Sequence, residues 1–277
     1  MPNLEDHIGD IIRKATEMAN ISSPVVAKAA DMDLISFEMF LQTGISDKQP
    51  DYKKLGELLD LDTEKLQRIA DGWHPPAIKT NDWKELRQLT SSYSYNTVNC
   101  YLIWQKDSKK TALFDTGFDE HLILKLLKRH SLELEYLFIT HNHLDHCGLA
   151  DSLKRKFPEL KIYRGDFHSP SEVKGGQVKQ PIKFGSLSIA PMPLPGHTID
   201  SIIYIVSGWD KCAPPVAIVG DALFAGSIGR ISYEPQLVKK AIMENIFSLP
   251  HDTLICPGHG ILTTIYEELK NNPFFKY

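Results

Sequence analysis

The chain has 277 residues, 42% of them hydrophobic and 24% charged. This is ordinary globular usage and excludes a disordered, collagen-like or low-complexity protein. The length allows one large domain or two smaller ones, with a substantial core. A balance of 31 Lys+Arg against 35 Asp+Glu gives a net charge of −4, with no signature of nucleic-acid or anionic-membrane binding. Cys100, Cys147, Cys212 and Cys256 are far apart and form no CxxC pair. They read as small buried hydrophobes of a reducing compartment. The opening MPNLEDHIGD has neither a basic nor an apolar leader region. No apolar run approaches the ~18 residues that span a bilayer. The expectation is a soluble, cytoplasmic protein with no membrane partner.

Residues 1–71 read as helical. Ile8, Ile11, Ile12, Ala15 and Met18 recur at helical spacing. Ser23 before Pro24 predicts an N-cap with proline at the first helical position. Val25, Val26, Ala29 and Ala30 line a second short helix. Leu34, Phe37, Phe40 and Leu41 give a third, ended by Gly44. Leu55, Leu58 and Leu59 mark a fourth, and Asp62 caps a fifth that carries Leu66 and Ile69. The run Gly72-Trp73-His74-Pro75-Pro76 cannot continue a helix, and the domain boundary is placed there: a small helical domain over 1–76, a second domain over 77–277.

Beyond residue 80 the pattern changes. Val98, Cys100, Leu102 and Trp104 alternate with Asn99, Tyr101 and Ile103, a strand signal. Residues 111–114 form a short apolar strand ending at Asp115-Thr116-Gly117. A helix is predicted over 119–130 and a buried strand over 135–139. Strands follow at 202–206 and 216–219, a helix at 236–247 and a strand at 253–256. Interleaved strands and helices predict an α/β layered domain.

The densest chemical signal is Thr140-His141-Asn142-His143-Leu144-Asp145-His146, directly after the strand at 135–139. In HxHxDH, residues i and i+2 at a strand end converge on one cation. The following Asp and His, beyond the turn, face a second. Imidazole and carboxylate suit Zn²⁺ at about 2.0–2.2 Å, with Fe or Mn also compatible. Further candidates sit at other strand ends: His197 in Pro-Gly-His-Thr, Asp221 in Gly-Asp, and His259 in Pro-Gly-His-Gly. Glycine beside each lets the backbone approach closely. Taken alone, each is an ordinary loop residue; their joint occurrence with HxHxDH points to a metal centre. His7, His74, His121, His130, His168 and His251 have no such context and read as surface or packing residues.

These residues resemble the metallo-β-lactamase superfamily, in order from about residue 85 to 277. Within it the chain is most similar to the glyoxalase II (hydroxyacylglutathione hydrolase) group, through GDALFAGSIGR at 220–230, LPHDTLICPGHG at 249–260 and EELKNNPF at 267–274. The resemblance implies an αββα sandwich after the helical domain, with two divalent metal ions, zinc first, at one edge. It puts His141, His143 and His197 on one ion and Asp145, His146 and His259 on the other. Asp221 would bridge the two, and Asp115 would orient ligands from behind. The implied reaction is hydrolysis: a metal-bound hydroxide attacks a thioester, or another ester or lactone carbonyl, of a small-molecule substrate. Asp145 would orient the nucleophile and move its proton, and Cys147 reads as packing. A mononuclear-iron persulfide dioxygenase using His141, His197 and Asp221 is the alternative on this scaffold.

Two departures concern glutathione. The family continues the GR at 229–230 with Thr-Asp and a Gly-rich turn, where this chain has Ile231-Ser232-Tyr233-Glu234-Pro235. Long-form members carry a C-terminal helical domain that contacts glutathione. This chain ends soon after His259, so the expectation is that it lacks one.

Residues 22–72 resemble a Cro/repressor-type helix-turn-helix through Ala29, Leu34, Leu41-Gln42-Thr43-Gly44 and the helices from Leu55 to Ile69. Asp33 stands where that turn has glycine. The helix that would read DNA, Ser36 to Gln42, has no Lys or Arg and carries Glu38. Residues 1–75 hold 14 acidic and 8 basic residues, a balance of −6. Phosphate contact supplies most DNA-binding free energy, so the reading is a packing or dimerisation module, with a homodimer compatible. A metal-sensing DNA-binding regulator is the remaining alternative.

Overall fold

The computed structural model describes residues 4–165, 180–210, 213–231 and 233–276. His168, Cys212 and Ser232 lie outside them. Five helices come first: α1 (Ile8–Ala19), α2 (Ser23–Ala29), α3 (Leu34–Thr43), α4 (Tyr52–Leu58) and α5 (Thr63–Ala70). Their ends follow side-chain chemistry. His7 and Asp10 form a reciprocal capping pair at the start of α1. The Asp62 carboxylate accepts from the Glu64 and Lys65 backbone N–H groups at the start of α5. Gly44 ends α3 at φ 68°, a left-handed conformation that favours glycine. One start differs from expectation. Ser23 is already helical, Pro24 takes the second position, and Ser22 flanks the helix without a side-chain cap. The Ser22 carbonyl accepts from Val25 and Val26 N–H, so the helix closes one residue earlier.

The rest of the chain forms two sheets. The first has the order β1 (Leu86–Tyr93), β2 (Asn96–Trp104), β3 (Lys110–Phe114), β4 (Glu133–Phe138), β5 (Lys161–Tyr163). Helix α6 (Glu120–His130) connects the parallel pair β3 and β4. Helices α7 (Leu144–Cys147) and α8 (Ala150–Lys156) lie between β4 and β5. The second has the order β11 (Thr263–Thr264), β10 (Leu254–Pro257), β9 (Val216–Gly220), β8 (Ile202–Ser207), β7 (Leu187–Pro193), β6 (Ile182–Phe184). Its parallel pair, β9 and β10, is joined through α9 (Pro235–Asn245); α10 (Ile265–Asn271) follows β11.

The sheets pack face to face. Tyr101, Ile103, Phe114 and Phe138 of the first meet Ile189, Tyr204, Val206 and Ile218 of the second in one apolar cluster. The Phe138 ring lies 5.0 Å from Phe114 and 5.2 Å from Tyr204. Two tyrosine hydroxyls bridge the sheets: Tyr204 donates to the Ile139 carbonyl at 2.8 Å and Tyr101 to that of Pro257 at 2.7 Å. The alternation in β2 therefore separates two buried faces, not a buried face from a wet one. Cys100, Leu102 and Trp104 pack outward under α6 and α8, with Ile123, Leu127 and Leu153.

The outer face of the second sheet is covered by α9, α10 and the N-terminal helices. Ile11, Phe37, Leu55 and Leu66 belong to the same apolar cluster as Ile203, Val219, Ile242 and Ile255. The C-terminal residues wedge into this layer. Lys65 donates to the Leu269 and Phe275 carbonyls at 2.7 and 2.6 Å, and Asp62 N–H bonds Pro273 O. Phe274 is fully buried there.

Glu268 of α10 is buried at this junction. It accepts from Gly226 N–H at 3.0 Å, Thr263 Oγ1 at 2.8 Å and Asn272 Nδ2 at 2.8 Å. Burial outweighs these donors and pushes its carboxyl from 4.5 up to about 7. Between those values the folded protein holds a proton that the unfolded chain has released. This contribution to stability is full below pH 4.5 and is lost as pH rises through 7. Denaturant unfolding at pH 5 and 8 should therefore show wild type losing about 1–3 kcal/mol more than Glu268→Gln across that interval.

Candidate metal centre

The site is built where strands end. Past β4 the chain bends at Thr140, and His143 is the extended residue that precedes α7 (φ −68°, ψ 145°). His141 and His143 thus project before the turn, Asp145 and His146 from the helix after it. His197 comes from the loop between β7 and β8, Asp221 from the end of β9, His259 from the end of β10. The structure brings all seven together. His141, His143, His197 and Asp221 place ligand atoms within 4.8 Å of one another, and Asp145, His146 and His259 form a second such group. Asp221 stands between them. Its Oδ2 lies 3.4 Å from both His197 Nε2 and His259 Nε2, and its Oδ1 lies 3.4 Å from His146 Nε2.

Oxygens behind the rings set which nitrogen faces inward. Asp115, at the end of β3, adopts φ 59°, a strained value for a residue with a side chain. Its carboxylate accepts from Thr140 N–H at 2.7 Å, Thr140 Oγ1 at 2.8 Å and His146 Nδ1 at 2.8 Å. With its proton given to Asp115, Thr140 Oγ1 is left to accept from His141 Nδ1 at 3.0 Å. His197 Nδ1 donates to the Arg230 carbonyl at 3.0 Å, and His259 Nδ1 donates to that of Thr97 at 2.5 Å. Four imidazoles thereby turn Nε2 toward one another. The distances are short: His141 and His197 Nε2 each lie 3.0 Å from His143 Nδ1, and His146 Nε2 lies 3.3 Å from His259 Nε2. Nitrogen lone pairs this close repel unless positive charge, a proton or a metal ion, lies between them.

The electrostatics agree. Burial, reinforced by the His146 ring, pushes His141 down to about 2. Burial also opposes charge on His259, but its hydrogen bonds to the Asp145 and Asp221 carboxylates win and raise it to about 11. Asp221 is held well below the carboxylate range although burial favours its neutral form; His259 and His146 are the cause. Buried Asp221 Oδ1 has no hydrogen-bond donor. An orphaned carboxylate oxygen facing converging imidazole nitrogens is a donor set that fits divalent ions of the zinc class.

Several contributors carry no sequence signal of their own. The carbonyls of Thr97 and Arg230 are backbone groups, and the Phe224 ring, edge-on to His259 at 5.9 Å, sits in an otherwise apolar run. Thr140 was visible beside His141 but unremarkable by type. Among the histidines left as surface or packing residues, His7 caps α1 and His130 stacks on Trp104.

The sequence model of the metallo-β-lactamase superfamily matches residues 95–259, more than half of the chain. The chain belongs to the metallo-β-lactamase superfamily. Its relatives within that superfamily include hydroxyacylglutathione hydrolase GloC of Haemophilus influenzae, 29% identical over 64% of this chain and 92% of the relative. A probable hydroxyacylglutathione hydrolase of Schizosaccharomyces pombe is 31% identical over 57% of this chain; the match spans only 62% of that protein's length. Among solved structures, the BLEG-1 B3 metallo-β-lactamase is similar with a TM-score of 0.58 and 27% identity, over 69% of this chain and all of that one. The superfamily match places this chain among metallo-hydrolases with glyoxalase II-like relatives, on a mixed α/β fold preceded by helices. Among the described residues, no helix is long and apolar enough to cross a membrane.

Gly258 shows how little room the centre leaves. A Cβ there would lie 2.3 Å from Asp221 Oδ1 and 2.6 Å from His146 Cε1. Gly258→Ala should weaken zinc affinity by about 10–100-fold, measured by competition with a chromophoric chelator, while far-UV circular dichroism stays that of the wild type.

Proposed function

We propose that this protein is a di-metal hydrolase that cleaves small-molecule thioesters, with other esters and lactones as the next class. The carrying observation is the position of Asp221 between two complete donor groups, His141/His143/His197 on one side and Asp145/His146/His259 on the other. The names of the two hydroxyacylglutathione hydrolase relatives support the thioester class. Bound there, a pair of divalent ions would supply Lewis acidity and lower the pKa of water toward about 7.

The chain's own groups divide the remaining work. Asp221 is the more buried carboxylate and serves as the fixed anion of the site. Asp145 is the more exposed, with Oδ2 3.4 Å from His259 Nε2 and 3.5 Å from His146 Nε2. It is the group placed to orient an attacking water and take up its proton at Oδ2. The same proton can then pass to the departing thiolate. Covalent catalysis by the neighbouring thiol is disfavoured. Burial pushes the Cys147 pKa up, and an undissociated thiol is a weak nucleophile. Cys100, Cys147 and Cys256 are free thiols, which suits a reducing, cytoplasmic setting. The N-terminal helices are read as a packing module. Helix α3, which a DNA-reading module would present, exposes Ile35 and Met39 and contains no Lys or Arg.

Purified protein should carry two divalent ions per chain and turn over an acyl thioester in a panel of thioesters and lactones. Chelation should abolish turnover and added zinc restore it. His143→Ala and Asp221→Ala should each lower kcat/KM by at least about 100-fold. Full activity in either variant overturns the reading. One iron per chain, with oxygen consumption and no thioester turnover, replaces it with the dioxygenase.

A further inference from the structure

Asp221 opens a turn, residues 222–230, that folds back through a Phe224–Ser227 bridge. The turn touches the donor cluster at three points. Asp221 stands at its start, the Phe224 ring meets His259 edge-on, and the Arg230 carbonyl at its end accepts from His197 Nδ1 at 3.0 Å. The turn is gripped from α1 and the residues just before it, a region of the chain that precedes the superfamily match. Lys14 Nζ donates to the Ile228 carbonyl at 2.7 Å, pairs with the Asp6 carboxylate and lies 4.9 Å over the Phe224 ring. Asp6 also accepts from the Ser227 hydroxyl. The Lys14 and Asp6 side chains are only 12% and 8% exposed.

An ammonium has three donors, and each is met: a carboxylate, a carbonyl and an aromatic face. Arg230 is only two residues beyond Ile228. Between them Gly229 lies so close to Asp221 that a Cβ would fall 1.7 Å from the Asp221 carbonyl oxygen. Two residues span at most about 7 Å, so this segment has no slack to absorb a shift at Ile228.

We propose that Lys14 and Asp6 are positioning residues of the metal centre: by anchoring Ser227 and Ile228 they hold the Arg230 carbonyl against His197 Nδ1 and so fix that ring's tautomer and direction. The proposal rests on the metal-hydrolase reading for its purpose but not for its test. It makes the N-terminal helices a support of the site as well as a cover for the second sheet.

The test uses the full-length protein, stripped of metal and labelled with ¹⁵N-histidine. In the wild type, His197 should show the Nδ1–H tautomer with a ring proton protected from exchange. In Lys14→Met that signature should give way to averaged nitrogen shifts and fast exchange, and zinc affinity should fall about 10–100-fold. Lys14→Arg should restore both, and Lys48→Met, at an exposed lysine paired with Asp31, should change neither. Should Lys14→Met fail to fold, Ser227→Ala, which removes one of the two bonds to Asp6, should move both readouts the same way by less. A folded Lys14→Met or Ser227→Ala protein with the wild-type His197 signature and zinc affinity overturns the proposal. A wild type without zinc affinity overturns the hydrolase reading instead, and the tautomer readout still decides the role of Lys14.

Discussion

The whole site depends on oxygens that hold the back of four of its five inward-facing rings. An imidazole is a useful metal donor only when its other nitrogen is already engaged, because that engagement selects the tautomer and fixes the ring plane. Here the Asp115 carboxylate does this directly for His146 and, through Thr140, for His141. Backbone carbonyls do it for His197 and His259. Without these four anchors, Nε2 atoms would not stand about 3 Å from their neighbours. The strained backbone at Asp115 is tolerated because three hydrogen bonds, two from Thr140 past β4 and one from His146 of α7, hold its carboxylate.

The fold serves this arrangement by bringing strand ends to one edge. Parallel pairs β3/β4 and β9/β10 run in the same sense within their sheets, so Asp115 and His141 leave one sheet together and Asp221 and His259 leave the other. Bonds between the sheets keep the two edges level: Tyr204 to Ile139 lies two residues from His141, and Tyr101 to Pro257 lies two residues from His259. Close glycines at 258 and 229 then let the loops approach Asp221 without a side chain in the way.

Much of this was legible in the sequence because it is local. HxHxDH occupies one strand end and one helical turn. His197, Asp221 and His259 each follow a glycine at the edge of an apolar run. The N-terminal helices were readable from spacing and caps, apart from the one-residue shift at Ser23. The short strands β5, β6 and β11 gave no signal, since two or three residues carry too little pattern and are fixed by pairing with a neighbour. Helix α7 was hidden because its single turn carries residues that read as ligands, and α8, of seven residues, drew no expectation. Apolar stripes on α1 and α5 announced a buried face but not its partner. That the partner is the second sheet follows from tertiary packing alone.

Helix α5 is stitched to residues 269–275 through Lys65, Asp62 and Phe274. The separation along the chain exceeds 200 residues. During synthesis, then, the first helices emerge long before their final neighbours exist. They must wait, partly unsheltered, until residues 269–275 leave the ribosome. Closing so long a loop is entropically slow. Ordering of the N-terminal helices is thus tied to synthesis of residues 269–275, and chains cut short before them lack part of the cover over the second sheet.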